Sequence, residues 1–420
     1  MTFMENRKKL LNVDTIEEVA LKFDDYFANI GKKMELVGIR EALGRYCAEA
    51  VMADRAMPEF RRAVVDGYAV QAKDTFGVSD SVPVLLTVIG AVEMGAAAGL
   101  TVSAGEAVYV PTGGMMPEGA DAMVMIEYVD QLDERTIAVN KAAATNSGFM
   151  QIGDDFSETA RFFEPGHRLS VRDIGILAVL GKSRVLVYQK PTLSIISTGD
   201  ELIDVDAVPG PGQIRDLNAY TISAFAEAAG AFINEIKIVH DDFNKFRAII
   251  AEALEKSDLV IISGGSSAGN KDFTAEIINS FGDPGVFTHG LAIKPGKPTI
   301  IGGAMGKPII GLPGHPMSAI VVFKVVVEAF MRKTFFGNTE EPLQILASLS
   351  ENIHSGEGRT QFQLVSLTRG KEGYLAAPIR AKSGSISQLM KADGYVRIDS
   401  LTEGLYAGNQ VLVTLFNYHS

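Results

Sequence analysis

The chain has 420 residues, a formal net charge of −12, 47% hydrophobic residues and 21% charged residues. That length exceeds one ordinary core and leads us to expect about two to four domains, while the composition is that of a soluble globular protein whose acidic balance argues against nucleic acid or an anionic membrane as partner. The single cysteine, Cys47, excludes an internal disulfide and a cysteine-built zinc cage and fits a reducing cytoplasm, and neither a signal-peptide pattern nor an uninterrupted apolar span is found.

The first predicted element is a helix. Asp14 and Glu17 have capping-box spacing, Ile16, Val19, Ala20, Phe23, Phe27 and Ile30 form one apolar stripe, and Gly31 is the expected stop. From about residue 51 to 140 the pattern changes to short alternating runs (VPVLLTVIGAV, EAVYVPTGG, DAMVMIEYV, TIAVNKA) that predict a small β-rich unit. A loop-rich passage follows, then a helix over residues 171–180.

From residue 184 to about 335 the rhythm is β-α-β-α. Strand-like VLVYQKPTLSIIS precedes a helix over 218–229, with Tyr220, Phe225 and Ala229 inward and Gly230 at its end. FINEIKIV, DLVIIS and KPIIGL read as strands, and 243–256, 272–280 and 317–333 as helices. Such alternation predicts a mostly parallel sheet covered on both faces, with ligands at the carboxyl ends of its strands. Residues 342–420 return to short strands and turns, which predicts a small β-barrel.

Three loops in this region carry the chemistry: IISGGSSAGNKDFT (261–274), LAIKPGKPTIIG (291–302) and GLPGHPMSA (311–319). Glycine lets backbone N–H groups approach an anion closely, and Lys294 and Lys297 add full positive charge. No P-loop is present, since the nearest lysine matches, GGAMGKP and PGKPT, have Pro308 and Pro298 where a magnesium-holding hydroxyl is needed, and no GxGxxG opens the β-α-β region. Carboxylates gather at the same strand ends: Asp200, Glu201, Asp216, Asp241, Asp242 and Asp272. Each is open to reading as a helix cap or a solvated turn residue, and Asp66 as part of an Asp-Gly turn. Several carboxylates around an oxyanion make sense when a divalent cation lies between them, and magnesium is the natural candidate. No two of His240, His289 and His315 have zinc-ligand spacing, and His315 is open to ligand contact or a helix-start hydrogen bond.

The stretches MPEFRRAVVDGYAV, VPTGGMMPEGADAMVMIE, PTLSIISTGDEL, GQIRDLNAY, SDLVIISGGSSAGNKDFT, LAIKPGKPTIIG and GLPGHPMSAIVVF occur in one order along the chain. In that order they resemble the MoeA-type molybdopterin molybdenumtransferases, as do GRTQFQLVSL and AKSGSISQLMKADGYVRI near the end. The resemblance implies a multidomain protein: an elongated discontinuous unit (1–50 and 141–183), an inserted β-rich unit (51–140), an α/β molybdopterin-binding unit (184–336) and a C-terminal β-barrel (337–420). It implies a magnesium-dependent enzyme in a cytoplasmic homodimer, with the cleft between the α/β unit of one copy and the β-rich unit of its mate. Adenylylated molybdopterin and molybdate would enter and AMP would leave, with the molybdopterin adenylyltransferase as partner.

Carried over residue by residue, the resemblance makes Asp66, Glu201, Asp241 and Asp272 the functional carboxylates, with Glu201, Asp241 and Asp272 holding magnesium. Ser263, Gly264, Gly265, Lys294, Gly296 and Lys297 would hold pterin and phosphate groups. Thr112, Gly113, Pro313, Gly314 and Ser318 would line the cleft. Three departures from the family pattern stand out: Ala63 for serine, His315 for asparagine, and TGGMMP for TGA-x-x-P. Alternative readings are the adenylyltransferase itself, a tungstate-preferring transferase, and a non-catalytic molybdopterin-binding scaffold or carrier.

Overall fold

The computed structural model describes residues 13–240, 242–264, 271–356, 358–380 and 386–416. Helix α1 (Ile16–Phe27) starts one residue later than an Asp14 cap predicts. Thr15 caps it, accepting from Glu18 N–H while the Glu18 carboxylate accepts from Thr15 N–H. Asp14 is spent on tertiary contacts, with Lys22 Nζ at 2.5 Å and the Thr288 hydroxyl at 2.6 Å. The helix ends at Phe27, ahead of Gly31. Helix α2 (Val171–Val179) stands where a helix is expected.

The chain divides into two compact units, one of Ala50–Glu164 with Gly175–Ser183, the other of Met1–Glu49, Pro165–Ile174 and Arg184–Ser420. The former is β-rich, as expected. Its sheet is built from β1 (Gly67–Val70), β2 (Val84–Ala91), β3 (Glu106–Val110), β4 (Ala122–Met125), β5 (Val129–Gln131) and β6 (Thr136–Val139), in the order β4-β1-β3-β2-β6-β5. Only β2 and β3 run parallel. Gly67 begins β1 because a Cβ there would run into the Val124 carbonyl.

The other unit holds a six-stranded sheet made of β7 (Thr192–Thr198), β8 (Phe232–Val239), β9 (Leu259–Gly264), β10 (Pro284–His289), β11 (Ile300–Ala304) and β12 (Lys307–Leu312). The order is β8-β7-β9-β12-β11-β10. The first four strands are parallel, and β11 runs antiparallel to both neighbours. The strands β10 and β11 are not apparent in the sequence because PGVFTH and IIGGA carry the proline and glycine that strand patterns avoid. Run VLVYQKPTLSIIS splits at Pro191, and its first half, Arg184–Tyr188, pairs with Met34–Gly38 instead.

Helices α3 (Asn218–Ala228), α4 (Phe243–Lys256), α5 (Lys271–Asn279) and α6 (residues 316–336, with a π-turn at Phe323–Val327) cover this sheet. Leu193, Ile195, Leu259 and Ile261 pack with Ile222 of α3 and the apolar side of α6. Ile196, Val260 and Ile262 pack with Phe246 and Ile250 of α4 and Ile277 of α5. Strand periodicity assigns alternate residues to these two faces, each fully buried side chain contributing about 1.5–3 kcal/mol. In α3 the inward residues are Ala219, Ile222 and Ala226, whereas Tyr220 is 43% exposed, against expectation. Gly230 follows with φ +101°, a left-handed stop.

Strands β13 (Gln344–Leu349), β14 (Thr360–Arg369), β15 (Tyr374–Pro378), β16 (Gly394–Ile398) and β17 (Gln410–Leu415) close into a ring, β14-β15-β13-β17-β16-β14. The expected C-terminal barrel is therefore present. Ile293–Lys294 pairs parallel with the start of β14, so the lysine loop also serves as an extra barrel strand. Among the described residues no helix is long and apolar enough to cross a membrane.

Asp258 ties the entrance of β9 to that of β7. Its Oδ2 accepts from the Thr192 N–H at 2.8 Å and hydroxyl at 2.9 Å, and its Oδ1 accepts from Lys33 Nζ at 3.0 Å. Burial opposes the charged form, but the Thr192 and Lys33 bonds prevail and hold this carboxyl below its ordinary value. A depressed carboxylate binds fewer protons folded than unfolded, so its stabilisation is present above the ordinary range near pH ~4 and is lost as pH falls through the depressed value. Asp258→Asn is expected to cost about 1–3 kcal/mol at pH 7, with the difference from wild type shrinking below about pH 4. Urea unfolding at both pH values checks this.

Candidate functional site

Strands β7 and β9 lie side by side, and their chains part at the carboxyl edge. From β7 the chain goes through α3 to β8 on one side; from β9 it goes through α5 towards β10 on the other. This is the topological switch point of an open α/β sheet, where a crevice forms. The register puts Thr198 beside Gly264 and Ser197 beside Ser263. Gly264 has φ +103°, and a Cβ there would fall well inside contact distance of the Thr198 carbonyl. Only glycine fits, so this predicted residue has a backbone reason to be there.

Ser263 is buried. Its hydroxyl oxygen accepts from Asn218 Nδ2 at 3.0 Å, and the same Nδ2 donates to the Gly314 carbonyl at 2.8 Å. The expected Ser263 and Gly314 are thus joined through Asn218, which sequence reading passes over as an ordinary helix start. Asp216 is buried beside it; one carboxylate oxygen accepts from Ala219 N–H at 3.1 Å and the other has no partner among the described residues. An open cleft of about 420 Å³ lies alongside, walled by Leu202, Tyr220, Ile236 and Ile238 with Asp216 and His240 among its polar groups. Burial first, then Asp204, Asp206 and Asp216, push the Tyr220 phenol up.

Glu201 is exposed three residues past the end of β7, its carboxylate folded against Gly199. Asp242 caps α4 by accepting from Lys245 N–H at 3.0 Å, and that bond holds its carboxyl below the usual range. Asp241 and Gly265 lie outside the described residues. Asp272 lies in the first turn of α5, and only its backbone is described. Among the described residues no three His, Cys, Asp or Glu side chains are grouped to hold a metal; Asp241 and the Asp272 side chain, two of the three expected magnesium ligands, lie outside them. Glu201 fits a hard cation, offering exposed carboxylate oxygens at the strand edge.

The lysine loop, residues 290–299, leaves the same edge at the end of β10. Gly296 has φ +116° and lies against Val322 of α6 and Ile293, where a Cβ would clash with both. Lys297 O accepts from the N–H groups of Leu291 and Thr299, and the Thr299 hydroxyl donates to Gly296 O at 2.7 Å. The loop backbone is built, while the Lys294 and Lys297 side chains are exposed. Pro313 and Ser318 are buried at the turn into α6, and His315, exposed at its N-cap, makes no side-chain capping bond.

In the β-rich unit, Asp66, Thr112 and Gly113 come together. Asp66 Oδ1 accepts from Thr112 N–H at 2.7 Å, and Gly113, with φ +88°, donates its N–H to Ala63 O at 2.8 Å. The Ala63 departure is therefore buried at the joint between the two loops.

Three family descriptions match this chain in order: the MoeA N-terminal region (domain I and II) over residues 12–181, a probable molybdopterin binding domain over 194–333, and the MoeA C-terminal region (domain IV) over 347–416. The molybdopterin molybdenumtransferase of Bacillus subtilis is 31% identical over 386 residues, covering 91% of this chain and 89% of its own. That of Staphylococcus epidermidis is 30% identical over 385 residues and 91% of each chain. A crystal structure of the molybdopterin biosynthesis MoeA protein from Pyrococcus horikoshii superposes with a TM-score of 0.79 at 36% identity, covering 97% of this chain and 100% of that one.

Two outcomes are expected here. Asp66→Ala should speed exchange of the Thr112 amide, read by hydrogen–deuterium exchange, with little change in the unfolding midpoint because the bond is at the surface. Gly264→Ala should cost more than about 1 kcal/mol by urea unfolding, since both φ and the Thr198 carbonyl oppose a side chain.

Proposed function

The chain belongs to the MoeA family, and from that premise we propose that it transfers molybdenum from molybdate into adenylylated molybdopterin with release of AMP. The observation that carries this reading is the whole-length match, which runs through the switch-point crevice at Gly264. The substrate is strongly anionic and the protein is acidic, so the crevice must supply neutralisation locally. Breaking the phosphoanhydride with water needs charge stabilisation and positioning more than a protein nucleophile.

The roles are those that the family resemblance implies, and their chemistry suits the reaction. Ser263, Gly264 and Gly265 offer hydroxyl and amide donors to phosphate oxygens. The exposed ammonium groups of Lys294 and Lys297 extend from a rigid loop, which Gly296 permits, and counter the remaining charge. Glu201, Asp241 and Asp272 would hold magnesium through carboxylate oxygens; bound there, the ion would neutralise phosphate charge and orient the attacking water. Pro313, Gly314 and Ser318 shape the wall. Asp66, Thr112 and Gly113 are proposed to complete the cleft from the second copy of a homodimer, with Asp66 positioning ligand. We place the reaction in the cytoplasm, with the molybdopterin adenylyltransferase supplying the substrate.

The test is AMP release from adenylylated molybdopterin with molybdate and tungstate in parallel. Wild type is expected to release AMP, to lose that activity on EDTA treatment and to recover it with added magnesium. Asp272→Ala or Glu201→Ala should slow it by about a hundredfold or more while the protein stays folded. Tight binding without turnover would instead support a carrier.

A further inference from the structure

Ser263 and Gly314 belong to neighbouring strand ends, β9 and the turn after β12, and one side chain links them. Asn218 Nδ2 stands 2.8 Å from the Gly314 carbonyl oxygen and 3.0 Å from the Ser263 hydroxyl oxygen. A carbonyl oxygen can only accept, so the amide atom facing Gly314 is the nitrogen. Its second N–H then goes to Ser263, and the serine oxygen is an acceptor in that contact. The serine proton is left over. Among the described residues the Ser263 hydroxyl donates to nothing. The residue is only 2% exposed, so an unused donor there is costly unless a ligand takes it.

We infer that Asn218 is a positioning residue for the proposed reaction: it fixes the Ser263 hydroxyl as a donor to an anionic substrate oxygen and holds residues 313–314 in register with it. This rests on the functional reading above and deepens it by naming what orients one of its anion contacts. Asn218 is itself 9% exposed, and it begins α3, in whose first turn the Ala219 N–H donates to Asp216. An aspartate of the same shape would reverse the arrangement. It has no hydrogen for Gly314 O, it would accept the Ser263 proton, and it would add negative charge beside an anion.

The experiment uses the full chain with Asn218→Asp, Asn218→Ala, Ser263→Ala and the Asn218→Ala/Ser263→Ala double variant. Binding of adenylylated molybdopterin is measured by calorimetry, AMP release gives kcat and KM, and thermal melting controls for folding. Asn218→Asp is expected to raise Kd about tenfold or more. Asn218→Ala should also weaken binding alone, yet change Kd by less than about twofold once Ser263 is already alanine, because the two act through one hydroxyl. Single losses that multiply in the double variant would mean independent structural roles and overturn the inference, as would wild-type Kd and KM in Asn218→Asp. Should Asn218→Asp fail to fold, the alanine cycle decides. An active wild type with unaffected Asn218 variants removes this inference alone, whereas a wild type that neither binds nor turns over the adduct removes the functional reading as well.

Discussion

At the ends of β7 and β9 two parallel strands stay hydrogen-bonded to their last residues, and then their chains depart in opposite directions. Close approach there requires that Gly264 have no side chain, since the Thr198 carbonyl occupies the space a Cβ would take. Backbone amides, unlike long cationic side chains, offer an anion fixed donors at little entropic cost. The neighbouring features at this edge, namely Glu201 past β7, the helix start of α3 and the turn into α6, are arranged around that divergence.

The core explains why the edge can be so polar. Both faces of the sheet are sealed by apolar side chains from helices on each side, with buried Ser194 of β7 paired to Ser257 near the amino ends, and further polar residues come at the carboxyl ends. There Ser197, Ser263 and Asp216 are buried all the same, and among the described residues Ser197 Oγ and one oxygen of Asp216 lack partners. Buried unpaired polar atoms are unfavourable, and their gathering at a switch point is the pattern of a site whose structure is shaped for a ligand. The same economy is visible at Asp14 and Asp258, where carboxylates near the surface are spent on joining distant segments.

Much of the architecture was legible because it follows from local periodicity. The β-α-β alternation, the bounds of Phe243–Lys256 and Lys307–Leu312, the β-rich unit and the terminal barrel all came from patterns within short windows. Errors arose where tertiary demand overrode a local signal. Asp14 had cap spacing but was drawn to Lys22 and Thr288, leaving the cap to Thr15. Tyr220 had helical spacing for burial but points to the cleft. Glycine and proline hid β10 and β11, whose partners supply the pairing that their own propensities do not.

By itself the sequence determined where the glycine-rich loops fall, the mostly parallel sheet and the family, because glycine placement, hydrophobic period and motif order are properties of a linear string. It also placed Asp66 and Thr112 on its list without linking them. Only tertiary structure decided that Asp66 receives the Thr112 amide, that Lys294 sits on a barrel strand, and that Asn218 clasps Ser263 to Gly314. Those facts are hydrogen bonds between groups 45 to 96 positions apart along the chain. Their geometry depends on how sheets and helices pack, and no local pattern encodes it.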